Sequence, residues 1–173
     1  MNTSVFRIVV LLLLVNTTVF SQSENNLVQT ESQKEITTVL ELWHKAAAKA
    51  DYDAYFGFMT KDAVFIGTDP TENWQNEAFR VYSKPHFDKG KAWTFNALER
   101  NVYMNSTEQI AWFDELLDTQ MGICRGSGIV QKVDSRWKIK HYVLSITIPN
   151  ANVKEVKALK NTFDKDLKAK MAK

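Results

Sequence analysis

Two acidic residues sit side by side in an apolar, strand-like run, AWFDELL (Ala111 to Leu117). A carboxylate held among apolar groups is pushed towards its protonated form, and can then move a proton beside a carbonyl near neutral pH. Asp114 and Glu115 are therefore the candidate acid–base groups. Strand alternation sends them to opposite faces. Asp114 shares a face with Trp112 and Leu116, and Glu115 with Phe113 and Leu117, so the pattern leaves open which one points inward. The following stretch, GICRGSG, places Arg125 and Ser127 on one face. His141, alternating with Ile139 and Val143, is the third candidate catalytic group. Polar groups on apolar faces are costly unless paired. An Arg125–carboxylate pair near His141 would be either a cavity cluster or a structural ion pair beside a satisfied core histidine.

A second group comes from the loop TDPTENW. Thr68, Asp69, Glu72 and Trp74 could line the rim of a binding site, with Asp69 or Glu72 as the acidic member. The competing reading is turn chemistry, with Asp-Pro setting a turn and Thr71 or Asn73 capping the next helix. Trp43 and Trp112 are candidate aromatic walls. His44 and His86 recur at no metal-ligand spacing, and Cys124 is the only cysteine. No metal site and no cofactor are therefore expected, and no intrachain disulfide can form. The sequence contains no P-loop, no G-x-G-x-x-G and no G-x-S-x-G. The glycines of RGSG lie in a strand, where a bulge or close packing explains them better than phosphate binding.

The elements that would position these groups follow from periodicity. Ser32 and Glu35 form an S-x-x-E capping box ahead of Ile36, Val39, Leu40, Trp43, Ala47 and Ala50, which recur at helical spacing. This predicts a helix from about Gln33 to Ala50. Asp51 or Asp53 can cap a short second helix, and Ala63 to Ile66 is a strand. A third helix runs through Phe79 and Tyr82 and is interrupted at Pro85. Long alternating segments follow at 93–104, 109–117, 122–133 and 137–148. Their short links predict an antiparallel meander. Helices segregated from strands imply α+β. A long twisted sheet wrapped on those helices would enclose a cone open at its wide end, a usual place for a ligand.

Composition bounds the partners. Lys and Arg total 22 against 20 Asp and Glu. Seven Lys and three acids fall in the last 23 residues, leaving a net −3 over Gln22 to Asn150. Such a body is a poor phosphate binder, which disfavours nucleic acid. Arg7, the run IVVLLLLV (Ile8 to Val15) and Val19-Phe20-Ser21 form a secretory signal pattern, with cleavage expected after Ser21. The run is too short to span a bilayer, so an exported protein without a stable membrane anchor is expected. Residues 22–31 read as a linker and 32–150 as the domain. Residues 151–173 read as a Lys-rich amphipathic tail, expected as a docked or partly frayed surface helix.

Taken together, VLELWHKAAAKADYDAYF, DAVFIGTDPTENW, AWFDELL, RGSG and WKIKHYVLSITIPN resemble the SnoaL-like branch of the nuclear transport factor 2-like superfamily over about residues 32–150. The resemblance implies a cone-shaped α+β fold with a concave pocket and frequent homodimerisation through the sheet. It transfers no catalytic set, because the superfamily holds isomerases, cyclases and dehydratases beside non-catalytic modules. The first expectation is a protein that binds a small apolar or aromatic molecule without a cofactor. The alternatives are a cofactor-free isomerase, cyclase or lyase, and a dimerising interaction module whose cavity is filled by its own aromatics. An open cavity holding a carboxylate of raised pKa would favour catalysis, an open apolar one binding, and a plugged one the interaction module.

Overall fold

A computed structural model describes residues 29–172. The expected signal peptide and most of the expected linker lie outside the described residues. The first helix, α1, spans Glu31–Ala48. Its capping box is Thr30 with Gln33, two residues earlier than Ser32 with Glu35. T-x-x-Q serves the same reciprocal bonding, and both displaced residues have other partners. Ser32 donates to Glu108, and Glu35 accepts from the Trp137 indole at 3.2 Å. Asp51 caps α2 (Tyr52–Gly57) by accepting from the Ala54 amide.

The first strand, β1, spans Met59–Ile66 and is followed by a short β2 (Asn73–Gln75) and α3 (Asn76–Asp88). Pro85 lies inside α3 instead of interrupting it. It sits in the exposed last turn, where loss of one amide donor is tolerated before the helix ends at Asp88. Strands β3 (Phe95–Met104), β4 (Ile110–Thr119), β5 (Gly122–Val133) and β6 (Arg136–Ile146) form the antiparallel meander. The sheet order is β2-β1-β6-β5-β4-β3, and β1 pairs parallel to β6. The sheet is thus mixed, because the chain crosses from β1 through β2 and α3 to the far edge at β3, and the meander brings β6 back beside β1.

The curved sheet wraps α1, α2 and α3 in the nuclear transport factor 2-like cone. Its interior is filled by aromatic side chains. Trp43 stacks on Tyr55, and Phe65 stacks on Phe79 with centroids 4.2 Å apart. Tyr142, fully buried, contacts the rings of Trp43, Phe65 and Phe113.

The last helix, α4 (Val153–Met171), follows a short 3-10 turn and has no buried residue. It is a continuous surface helix whose Val156 and Leu167 are half-buried, while Leu159 is 85 % exposed. No helix among the described residues is long and apolar enough to cross a membrane.

Candidate functional site

The concave face of the sheet carries one buried carboxylate, and it is Glu115. It lies on the inner row of β4 with Phe113 and Leu117, opposite Arg100 on β3 and Gly126 on β5. Its side chain is fully buried. Arg100 donates from Nε to Oε2 at 2.8 Å, and its Nη2 stands equally close to that oxygen, an ion pair that favours the ionised acid. His44 Nε2 lies 2.7 Å from Oε1, and Tyr142 donates to the same oxygen at 3.1 Å. An ionised carboxylate only accepts, so Nε2 carries the proton.

Burial pushes the Glu115 carboxyl up, but the bond and charge of His44, followed by those of Arg100, outweigh it and leave it below the ordinary value. Tyr142 shifts the opposite way. Its burial, and then the Glu115 charge, hold the hydroxyl well above 10. This cluster ties down an acid and does not poise one for proton transfer.

Gly126 makes the cluster possible. A methyl group there would collide with the Tyr142 hydroxyl and lie 3.1 Å from Glu115 Oε1. Gly128 likewise leaves room for the Phe113 ring and for the His141 carbonyl. The glycines of RGSG thus serve close packing.

The other proposed catalytic groups lie on the opposite face. Asp114 is on the convex side of the sheet, where Asn101 donates to it at 3.1 Å and Arg125 Nη1 approaches to 3.9 Å. Ser127 is its cross-strand neighbour. The Asp114–Arg125–Ser127 group therefore exists, but outside the cone. His141 joins that outer face next to Ile129. Val130 pairs with Ile139 and Ile129 with His141, so Lys140 is an extra, bulged residue. The bulge breaks the alternation that put His141 in register with Ile139 and turns Tyr142 inward. Trp112 is also convex and exposed, stacked on Tyr103 at 6.0 Å. Trp43 is a fully buried core residue, and its indole N–H has no partner among the described residues.

The concave opening lies at the wide end of the cone. A cavity of about 160 Å³ is lined by Phe65, Thr68, Glu72, Trp74, Phe79, Tyr82, Trp93 and Phe95, with Gln120, Met121 and Leu144 closing the far side. Thr68, Glu72 and Trp74 thus reach the rim. Asp69 does not, because its carboxylate accepts from the amide and hydroxyl of Thr71 and holds the turn. These two bonds, the hydroxyl first, keep the Asp69 carboxyl below its usual value. Trp74 stacks on Tyr82 at 4.6 Å. The Trp93 indole N–H and the Tyr55 hydroxyl are buried without partners nearby. Burial raises Tyr55 well above 10, and the neighbouring indole opposes this only in part, short of hydrogen-bond geometry.

Four larger hollows lie elsewhere on the described surface. One, of about 600 Å³, runs past Lys34, Glu35, Phe58 and Trp137. One of about 650 Å³ lies along Tyr52, Arg80 and Lys84, and one of about 230 Å³ lies between Ile148 and α4. The fourth, of about 400 Å³, lies between α1 and β3 and is lined in part by His44 and Arg100.

Sequence reasoning missed Arg100, Tyr142, Phe65, Phe79, Tyr82, Trp93 and Gln120, and considered His44 only as a metal ligand. Arg100 was detectable as the lone cation in a strand pairing with the acidic one. Tyr142 was hidden by the bulge.

A mixed curved sheet wrapped on helices, with its pocket at the open end, defines the class as a nuclear transport factor 2-like α+β cone. Within that class, the chain belongs to the SnoaL-like domain family, whose model matches residues 36–149. No curated protein is significantly similar to it. Among solved structures, a nuclear transport factor 2-like protein of unknown function from Pseudomonas putida KT2440 aligns with a TM-score of 0.59 and 14% identity, covering 70% of this chain and 91% of its own. A nuclear transport factor 2-like protein from Cytophaga hutchinsonii aligns at 0.58 and 12%, covering 68% and 100%. A proposed scytalone dehydratase from Novosphingobium aromaticivorans aligns at 0.56 and 12%, covering 66% and 83%. At these identities the likeness establishes the fold alone.

Proposed function

We propose that this is an exported, non-catalytic binding protein that takes one small apolar or aromatic molecule, without a cofactor, at the mouth of its cone. The observation that carries this reading is the contrast between the two polar sites of the concave face. Glu115 is sealed and held ionised by Arg100, which argues against acid–base chemistry. The mouth cavity is open and aromatic. Its volume suits a single ring, since a cavity of about 150 Å³ accommodates benzene. Export rests on the leader pattern in residues 1–21.

The test is a ligand-observed NMR screen of single-ring and branched small compounds against the wild type and Met121→Trp, which closes the rim from an exposed position. Binding that the variant loses at least tenfold is expected. Binding unchanged in the variant, or no binding by any compound, would overturn the reading.

A second reading concerns assembly. The convex face exposes Tyr103, Ile110, Trp112 and Ile129 as neighbours across β3, β4 and β5. Apolar clusters of this kind mark protein interfaces, which supports a homodimer through the sheet. Sedimentation equilibrium giving twice the chain mass is the expected outcome, and a monomer at micromolar concentration would refute it.

A further inference from the structure

The ligand chemistry of the mouth can be narrowed from its walls. Six aromatic rings line it, those of Phe65, Trp74, Phe79, Tyr82, Trp93 and Phe95. One charged side chain joins them, the carboxylate of Glu72, and none of the described Lys or Arg residues lines the cavity. Ring faces carry partial negative charge, and Trp and Tyr attract cations most strongly. The lining is therefore mainly aromatic, and among the described residues its only full charge is negative.

The fold holds Glu72 in this place. Its carboxylate lies over Gly67, where a methyl group would run into Oε2, and the Asp69 amide donates to the same oxygen at 3.2 Å. The Tyr82 hydroxyl lies near the same carboxylate. Partial burial, followed by the Glu72 charge, raises the Tyr82 hydroxyl above its usual value, which fits a carboxylate directed at the ring that walls the mouth. Phe79 stacks near-parallel with Phe65, Tyr82 and Trp93, at interplanar angles of 12°, 19° and 27°. This stacking gives the wall a shared orientation. The uncharged polar side chains of the lining are Thr68 and Gln120, while the Trp93 indole N–H is buried beside the Tyr55 hydroxyl.

We infer that the mouth cavity selects small organic cations, an alkylated ammonium group packed on the aromatic lining with Glu72 as counter-ion. This narrows the pocket reading above from apolar molecules to cations with an apolar, alkylated shell, and rests on it. A neutral apolar molecule would gain the burial but leave the carboxylate without a counter-charge. An anion would meet Glu72 and the ring faces together, and both repel it. Choline illustrates the class, since its trimethylammonium head suits an aromatic lining that carries one carboxylate.

The inference is tested by titrating the purified protein with choline, with its uncharged isostere 3,3-dimethyl-1-butanol and with 3,3-dimethylbutyrate, following tryptophan fluorescence and calorimetry. Choline is expected to bind at least tenfold tighter than the isostere, with the butyrate weakest. Glu72→Gln keeps an oxygen for the Asp69 amide. It is expected to lose about tenfold for choline and to leave the isostere unchanged, with a thermal melt confirming the fold. Rising salt should weaken choline and spare the isostere. Equal binding of choline and the isostere, or a Glu72→Gln variant that binds choline as well as the wild type, would overturn the cation preference while leaving the pocket reading intact. If none of the three binds and the wider screen also finds nothing, both readings fail.

Discussion

The middle of the concave sheet and the mouth of this cone are built from the same ingredients, aromatic rings with a carboxylate, and they behave in opposite ways. At mid-sheet, Glu115 meets a guanidinium, an imidazole and a phenol within 3.1 Å and is shut off from solvent. At the mouth, Glu72 accepts one backbone amide and stays part-exposed among rings that offer it no cation. A buried ion whose partners are all supplied by the fold is structural. A carboxylate the fold positions without a counter-charge is available to a ligand. Chemical usefulness here depends on what remains unsatisfied, not on the presence of an acidic side chain.

The comparison can be sharpened first at Glu115. Glu115→Gln leaves the buried Arg100 with only the exposed Glu41, 3.7 Å away, as counter-charge, and removing one member of a buried pair costs about 3–5 kcal/mol. Urea denaturation at pH 7 should show a loss of that size. The folded-state carboxyl lies below its ordinary value, so its contribution is fully present above the unfolded value of about 4.3. It disappears as pH falls through the lower folded value. The gap between wild type and variant should therefore be constant from pH 5 to 8 and close in stronger acid. A gap that closes on raising the pH would contradict the ionised assignment.

Gly126→Ala gives a smaller effect. The added methyl displaces the Tyr142 hydroxyl from Glu115, and overpacking of this kind costs about 1–3 kcal/mol. Thermal melts should show it, with Tyr142→Phe suppressing part of the difference. The smallest effect belongs to the mouth, where Met121→Trp should change stability by under about 0.5 kcal/mol while removing ligand binding. A large destabilisation by that variant would mean that the mouth is part of the core.

Much of the fold was legible in the chain. The helical spacing from Ile36 to Ala47, the alternation of β3 to β6 and the short turns between them are local patterns set by side-chain period. Loop placement offered Thr68, Asp69, Glu72 and Trp74 as rim groups beside a turn-chemistry reading, and the structure divides them, with Asp69 holding the turn and the other three lining the cavity. His141 and Tyr142 were misassigned for a specific reason. The extra residue at Lys140 reverses the faces of everything on one side of it, and a bulge leaves no mark in a run of alternating apolar and polar residues. The parallel pairing of β1 with β6 is likewise a long-range contact that no local pattern encodes.

By itself, then, the amino-acid order determined the element types, the α+β class and the short list of groups able to do chemistry, because each depends on near neighbours along the chain. Tertiary structure alone decided which of two adjacent carboxylates turned inward. It also decided that Arg100 and His44, 15 and 71 residues away, would neutralise it. Those choices belong to sheet register and to contacts between distant segments, and charge compensation across such distances exists only once the chain has closed.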